Sequence, residues 1–425
     1  MHQPDNTTRD MLGRSKNVSL GKALLALQKH IKPFSTDNVI VPIDDGLDRI
    51  TSHDIKAPED LPPYPRSTMD GYAVKGSDTF GASTNNPAYM EITGDVKMGD
   101  MPLIGPPPGT CFKISTGGLM PPGTDSVVRL EHTVNIDEHM IEIIRGIAPG
   151  INVIGTGEDM HKGETQIPQG HRLRPQDLGL LAGLGIKNVS VKQRLRVGII
   201  STGDEIVPFD EKPAPGKIRD MNSVILAGFI RKAGAIPKYY GIVPDKKSEF
   251  HAAAKTAMEE NEMILFSGSS SVGIRDMGVE IIETLGDPGI IVHGVAIKPG
   301  KPVIIALCNG KPVFGLPGHP VSATVCFEML VSPAIKLMEG SFNSFLPEKK
   351  IIKGILMRNI PSAGGRKDFV RVKVRRENNN KPFKIDPILG KSGAISTMVK
   401  AHGYLVIDES IQGLRKGDEV KVELF

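Results

Sequence analysis

Three loops hold the residue types best suited to chemistry. Thr202-Gly203-Asp204-Glu205 follows the apolar run LRVGIIS, Ser267 to Asp276 follows EMILF, and Leu316-Pro317-Gly318-His319-Pro320-Val321-Ser322 follows PVFG. In the second loop, Ser267-Gly268-Ser269-Ser270-Ser271-Val272-Gly273, glycine and small hydroxyl residues let successive backbone N–H groups converge ahead of a helix. The partial positive charge there holds an anion, with phosphate the natural guest. The string matches neither GxxxxGK[ST] nor GxGxxG, so it supports neither an ordinary P-loop nor a dinucleotide fingerprint, and the same composition also serves a plain turn. Asp204, Glu205, Asp245 and Asp276 all fall just past strand ends, so carboxylates distant in sequence can converge on one rim. Hard oxygen ligands of this kind suit Mg²⁺, although each acid taken singly reads as a helix cap or a surface residue. Lys298-Pro299-Gly300-Lys301 sets two point charges around a rigid turn, suited to phosphate oxygens or to solvent.

These loops need a sheet to bring them together. From 176 to 340 apolar strands alternate with helical segments, and VHGVAI (292–297) is read as one of the strands. Such alternation implies a mostly parallel sheet covered on both faces, with ligands beyond the carboxyl ends of its strands. Earlier in the chain, Leu20, Leu24, Leu27 and Ile31 mark one face of a helix over 19–31 with Ser19 as N-cap. The proline-dense KAPEDLPPYPR (56–66) marks a boundary or hinge. Short apolar runs up to about 145 (GYAV, CFKIS, SVVRL, MIEII) read as a small β-rich domain, Gly and Pro recur through 146–175, and the last 85 residues, with FVRVKVRR and EVKVEL, form a compact β domain.

At 425 residues the chain has room for two to four domains. With 39% hydrophobic and 24% charged residues and a mean hydropathy of -0.12, it has the composition of an ordinary soluble globular protein. No run approaches the roughly 18 consecutive apolar residues of a membrane helix, and MHQPDNTTRDM lacks the apolar core of a signal peptide, so a cytoplasmic address is expected. Cys111, Cys308 and Cys326 are odd in number and widely spaced, which reads as buried thiols rather than disulfides or a zinc site. The net charge of +4 is uneven: from residue 341 onward 17 Lys and Arg face 9 Asp and Glu. That basic module fits an anionic small ligand, nucleic acid, or a solvated lysine-rich face, and the absence of Trp argues against base-stacking platforms.

Taken together the motifs resemble one family. Pro62-Pro63-Tyr64-Pro65-Arg66-Ser67-Thr68-Met69-Asp70-Gly71-Tyr72-Ala73 looks like its PP-x-x-x-S-x-MDGYA signature. STGG-x-MPPGTDSVV with Glu131, the STGDE loop, the SG-x-x-SVG-x-x-D loop, VAIKPGKP and GLPG-x-PVSA follow in order. The set, spread over about residues 17 to 425, resembles the molybdopterin molybdenumtransferases, the family of bacterial MoeA and the gephyrin E domain.

The resemblance implies a multidomain α/β and β subunit. Its parts would be a linker β domain (38–56 and 147–192), a small β-rich domain reaching the partner subunit (57–146), a molybdopterin-binding α/β domain (17–37 and 193–340) and a C-terminal β-barrel-like domain (341–425). It implies insertion of molybdate into adenylylated molybdopterin with release of AMP, assisted by Mg²⁺, in a homodimer supplied by a molybdopterin adenylyltransferase, with neither nucleic acid nor a membrane as partner. Carried over, Asp70, Asp245, Asp276, Lys298 and Lys301 would be catalytic. Thr116, Thr202, Asp204, Ser267, Gly268, Ser271, Gly273, Pro317, Pro320 and Ser322 would hold the pterin adenylate. Glu205, Asp245 and Asp276 would hold Mg²⁺, and Arg371 and Ser392 molybdate. The chain departs from the family at Ser269 and Ser270, where a glycine and a valine are common, and at His319, where many members carry asparagine. A tungstate-inserting homologue and a non-catalytic pterin-binding scaffold are the alternatives.

Overall fold

The computed structural model describes residues 17–34, 37–268, 272–340, 349–376, 378 and 381–425, with the side chains of 272–276 outside that description. Its centre is a six-stranded sheet ordered Ile236–Val243, Arg196–Thr202, Met263–Ser267, Lys311–Leu316, Ile304–Cys308, Pro288–His293. The first four strands are parallel, and Ile304–Cys308 alone runs antiparallel to its neighbours, so that Pro288–His293 shares the direction of the first four, which fits a mostly parallel sheet. Met263–Ser267 and Ile304–Cys308 are buried at every position, as continuous apolar strands between two helical layers must be. Alternation sorts the side chains: Ile199 joins the core containing Leu27, Leu226 and Phe327, while Ile200 joins the opposite core with Phe250, Phe266 and Ile281.

Helix Leu20–His30 begins where its cap signal lies, Ser19 Oγ accepting from Lys22 N–H at 3.3 Å. Ala23, Leu27 and Ile31 are buried, and Leu20 and Leu24 pack partly buried against the same core, so the predicted face is the one that docks. One reading is corrected. VHGVAI is not one strand: Pro288–His293 ends before Gly294, whose φ of +84° turns the chain, and Ile297–Lys298 pairs instead with Lys367–Asp368 of the C-terminal domain. Pro320–Glu339 is long and apolar enough to cross a membrane by length and hydropathy, but 72% of its most apolar window is buried inside the α/β core.

The α/β unit carries β structure on both sides. A six-stranded sheet ordered Ser126–Arg129, Gly71–Val74, Thr110–Ile114, Ala88–Val96, Met140–Ile143, Thr133–Asn135 holds the segment around Asp70. Short ladders, Asn38–Pro42 with Asn188–Lys192 and Ile55–Lys56 with Thr165–Ile167, pack with helix Pro175–Gly183 around Leu173, Leu181 and Val191. At the C-terminus Lys367–Arg375, Phe383–Pro387, Ile351–Leu356, Glu419–Leu424 and Gly403–Ile407 close into a five-stranded barrel, the first strand pairing with the last. All three cysteines are buried free thiols, and burial pushes Cys111 up to about 12 and Cys308 up to about 11.

Candidate functional site

Thr202 and Ser267 end neighbouring parallel strands, each 1% exposed, with the Thr202 hydroxyl 3.5 Å from the Ser267 carbonyl. The chain leaves Ser267 through Gly268 at φ +128°, where a Cβ would lie 1.9 Å from the Thr202 carbonyl oxygen, so glycine alone fits. Ser269, Ser270 and Ser271 lie outside the described residues; Gly273 and Asp276 fall within helix Val272–Thr284, where no side chain before Met277 is described. The second and third loops are tied together by a residue that sequence reasoning missed. The Asn222 amide donates at 2.8 Å both to Ser267 Oγ and to the Gly318 carbonyl, and its Oδ1 is buried without a partner. Beside it Asp220, 4% exposed, accepts from Ser201 Oγ, Tyr239 O–H and Ser223 N–H, fixing the start of helix Asn222–Lys232. The signal present was an Asp and an Asn at a helix start.

The first loop brings acids together. Asp204 N–H faces Asp245 Oδ2 at 3.4 Å, and Asp245 N–H donates to Asp204 Oδ1 at 3.1 Å. The Glu205 carboxylate folds over Gly203, within 3.0 Å of where a Cβ would stand. Burial, then the neighbouring Asp204 and Glu205 charges, push the Asp245 carboxyl above its ordinary range against the opposing Asp204 N–H, and Asp245 Oδ1 is buried with no partner. Crowded carboxylates with an orphaned oxygen fit a divalent cation. Among the described residues no three acid, His or Cys side chains form a ready cage; Mg²⁺ in general takes one or two carboxylates and completes its shell with water and ligand phosphate.

The third loop meets the barrel. His319 Nδ1 and Ser392 Oγ lie 3.1 Å apart, and Val321 N–H donates to the Ser392 carbonyl at 3.1 Å. Pro317, Pro320 and Ser322 are buried, leaving His319 as the exposed side chain of that turn. Arg371 is 6% exposed; its Nη2 donates to the Gly390 carbonyl at 2.9 Å, two residues before Ser392, and its Nε is buried without a partner. Burial lowers the affinity of this guanidinium for its proton, although it remains the charged form at neutral pH.

Lys298 and Arg371 do not converge through that strand. Lys298 Nζ stands 3.6 Å from Asp368, which Arg366 and Ser362 also hold. Asp368 and Arg371 are three apart on one strand and so leave it on opposite faces; Phe369, on the Arg371 face, packs into the α/β core. Lys301 is exposed on the same turn as Lys298. Asp70 and Thr116 are paired within the small β domain, Thr116 N–H donating to Asp70 Oδ1 at 2.7 Å, with both residues exposed. The Ser67 backbone binds the two loops together, its N–H donating to the Gly118 carbonyl and its carbonyl accepting from Gly117 N–H, while its hydroxyl bonds Met69 within its own loop.

Known proteins share this architecture along its length. Residues 18–185 match the family described as MoeA N-terminal region (domain I and II), 198–337 the probable molybdopterin binding domain, and 353–425 the MoeA C-terminal region (domain IV). A Methanocaldococcus jannaschii protein assigned by name to molybdopterin biosynthesis is 40% identical over 91% of this chain and 92% of its own. The molybdopterin molybdenumtransferase of Bacillus subtilis is 31% identical over 91% and 89%. The crystal structure of a molybdopterin biosynthesis MoeA protein from Pyrococcus horikoshii OT3 superposes with a TM-score of 0.81 at 32% identity, covering 96% of this chain and 100% of that one.

Proposed function

The chain belongs to the MoeA family, and on that footing we propose that it is a molybdopterin molybdenumtransferase, inserting molybdate into adenylylated molybdopterin with release of AMP. The observation that supports the reading is the contact path Ser267–Asn222–Gly318–His319–Ser392, which links the end of strand Met263–Ser267 to the third loop and to the barrel loop that receives Arg371, with the Asp204–Asp245 pair at the same end of the sheet. Cleaving a phosphoanhydride asks for positioning and charge neutralisation more than covalent work from the protein. The Gly268 turn gives the pterin phosphate a close approach to backbone N–H groups. Lys298 and Lys301 hold phosphate or molybdate oxygens, Lys298 exchanging its contact with Asp368 for the substrate. Arg371 and Ser392 receive the oxyanion.

Asp204, Glu205 and Asp245 are the described acids that would hold Mg²⁺, with Asp276 completing the set. When bound, the ion neutralises the diphosphate and lowers the cost of charge built up in cleavage. Asp70 and Thr116 have their contacts inside the small β domain, so we assign them to the rim of a second subunit in a homodimer, and a molybdopterin adenylyltransferase supplies the substrate. The working compartment in this reading is the cytoplasm.

The test is AMP release from adenylylated molybdopterin with Mg²⁺, titrated separately with molybdate and tungstate. Release that depends on the oxyanion is expected, and the anion saturating at lower concentration names the metal. Binding of the adenylate without release under either anion would overturn the catalytic reading in favour of a pterin-binding scaffold.

A further inference from the structure

The opposite end of the central sheet, where its strands begin, carries a second concentration of charge. Arg194 precedes strand Arg196–Thr202, and Arg231 and Lys232 end the helix that leads into strand Ile236–Val243. A cavity of about 610 Å³ opens there between the linker ladder, the α/β unit and the barrel, with Asp48 and Arg172 on one wall and Lys350 and Phe425 on another. We propose that this cavity is a binding site for a small phosphate-bearing molecule, separate from the molybdopterin rim.

The charge balance is the first argument. Seven Lys and Arg line the cavity against three acids. Glu423 is taken by Lys349 at 2.6 Å, and Glu328 accepts the Tyr404 hydroxyl at 2.8 Å, its carboxyl pushed up by burial. Among the described residues no carboxylate pairs with Arg194, Arg231, Lys232, Lys336 or Lys350. Burial, and then the Arg172 charge beside it, lower the Lys336 ammonium's hold on its proton.

Basic residues at a helix end often serve the helix itself, by capping its last carbonyls and opposing its dipole. That role is filled here by backbone. Gly234, at φ +94°, donates to the Arg231 carbonyl, Ala235 N–H to that of Ile230, and Ala233 N–H to that of Phe229. Arg231 and Lys232 are thus left facing the cavity mouth. The volume exceeds what an inorganic anion fills and falls within the range of small-molecule sites. Phe229, stacked on Phe327 at 5.4 Å between centroids, and the half-exposed Phe425 supply an apolar side for the body of the ligand.

The experiment is amine acetylation of the full-length protein with and without inorganic pyrophosphate at constant ionic strength, read by mass spectrometry. Pyrophosphate is expected to slow labelling of Lys232, Lys336 and Lys350 at least about fivefold while leaving the exposed Lys353 unchanged. That protection should persist in the Lys298→Ala/Lys301→Ala variant, whose rim charges are gone, and disappear in Arg231→Glu or, if that variant fails to fold, in Lys350→Ala read at Lys232 and Lys336. Equal labelling with and without pyrophosphate, slowing of Lys353 to the same degree, or loss of protection in the rim variant would each overturn the proposal.

Discussion

His319 Nδ1 and Ser392 Oγ, 73 residues apart in the chain, meet at 3.1 Å, and this contact joins the loop after the fourth parallel strand to the barrel loop that also receives Arg371. The contact is exposed, so its value lies in geometry more than stability. His319→Ala is expected to change the unfolding free energy by less than about 1 kcal/mol while reducing oxyanion-dependent AMP release roughly tenfold, chiefly as a weaker response to molybdate. His319→Asn keeps a side-chain hydrogen-bonding group and should recover most of that loss. Urea titration and the molybdate dependence of AMP release check both halves.

Asn222 is a positioning residue with two buried hydrogen bonds, one to each ligand loop. Asn222→Ala leaves Ser267 Oγ and the Gly318 carbonyl without this donor, and should cost about 1–3 kcal/mol of stability. The adenylate should bind more weakly than its loss of stability alone would explain, because the two loops no longer share an anchor. Calorimetric binding measured well below the melting temperature separates the two effects. Unchanged affinity in a folded Asn222→Ala protein would remove Asn222 from the site.

The contrast between His319 and Asn222 indicates what the sequence can reveal. The strand-end loops were legible because continuous apolar runs, glycine turns and helix starts are local patterns, and Ser19 and the KPGK turn were legible for the same reason. Partnerships across the fold were not. Nothing local places Lys298 beside Asp368, and VHGVAI has the apolar content of a strand although Gly294 turns it out of the sheet. The face of helix Leu20–His30 was legible from Leu20, Leu24, Leu27 and Ile31, which all pack on the core, whereas the equally buried Ala23 carries no apolar signal of that size. Asn222 carries no signal beyond its place at a helix start, since its role is set by two loops that fold up to it.

Gly268→Ala tests the anion loop directly. A Cβ would overlap the Thr202 carbonyl oxygen and the backbone already sits at φ +128°, so the loop must move. The expected result is a protein destabilised by roughly 1–3 kcal/mol whose affinity for the adenylate falls more than about tenfold, against a nearly unaffected response to pyrophosphate at the opposite end of the sheet. Thermal melts and binding titrations decide it.

Asp245 links stability to pH and, in the proposed function, to Mg²⁺. Its folded carboxyl sits above the ordinary 3.8, so the folded state binds the proton more firmly than the unfolded chain. Stability from this group is greatest below 3.8, falls as pH rises through the raised value, and stays lower at neutral pH. Asp245→Asn removes that penalty: it should raise the neutral-pH melting temperature slightly and flatten this part of the pH profile, while lowering AMP release sharply. Mg²⁺ should stabilise the natural protein and stabilise Asp245→Asn less. Melting curves from pH 4 to 8 with and without Mg²⁺ test the sign, and an Asp245→Asn protein with unchanged Mg²⁺ response would exclude Asp245 as a ligand.

Asp70 offers the sharpest test of a shared site. Its contacts lie inside the small β domain, through Thr116 N–H, whereas Lys298 stands between the α/β unit and the barrel. Asp70→Ala and Lys298→Ala are each expected to fold, since both side chains are exposed and Asp368 keeps Arg366 and Ser362 as partners when Lys298 is removed, and each should lose most of its turnover. If one subunit supplies Asp70 to the rim of the other, mixing the two inactive proteins under subunit exchange gives mixed dimers with one intact site, and about a quarter of natural activity returns. If both residues serve the site of their own chain, no mixed dimer holds an intact site and the mixture stays inactive. Sedimentation of the same samples establishes that dimers formed, so a silent mixture of dimers would return Asp70 to its own subunit.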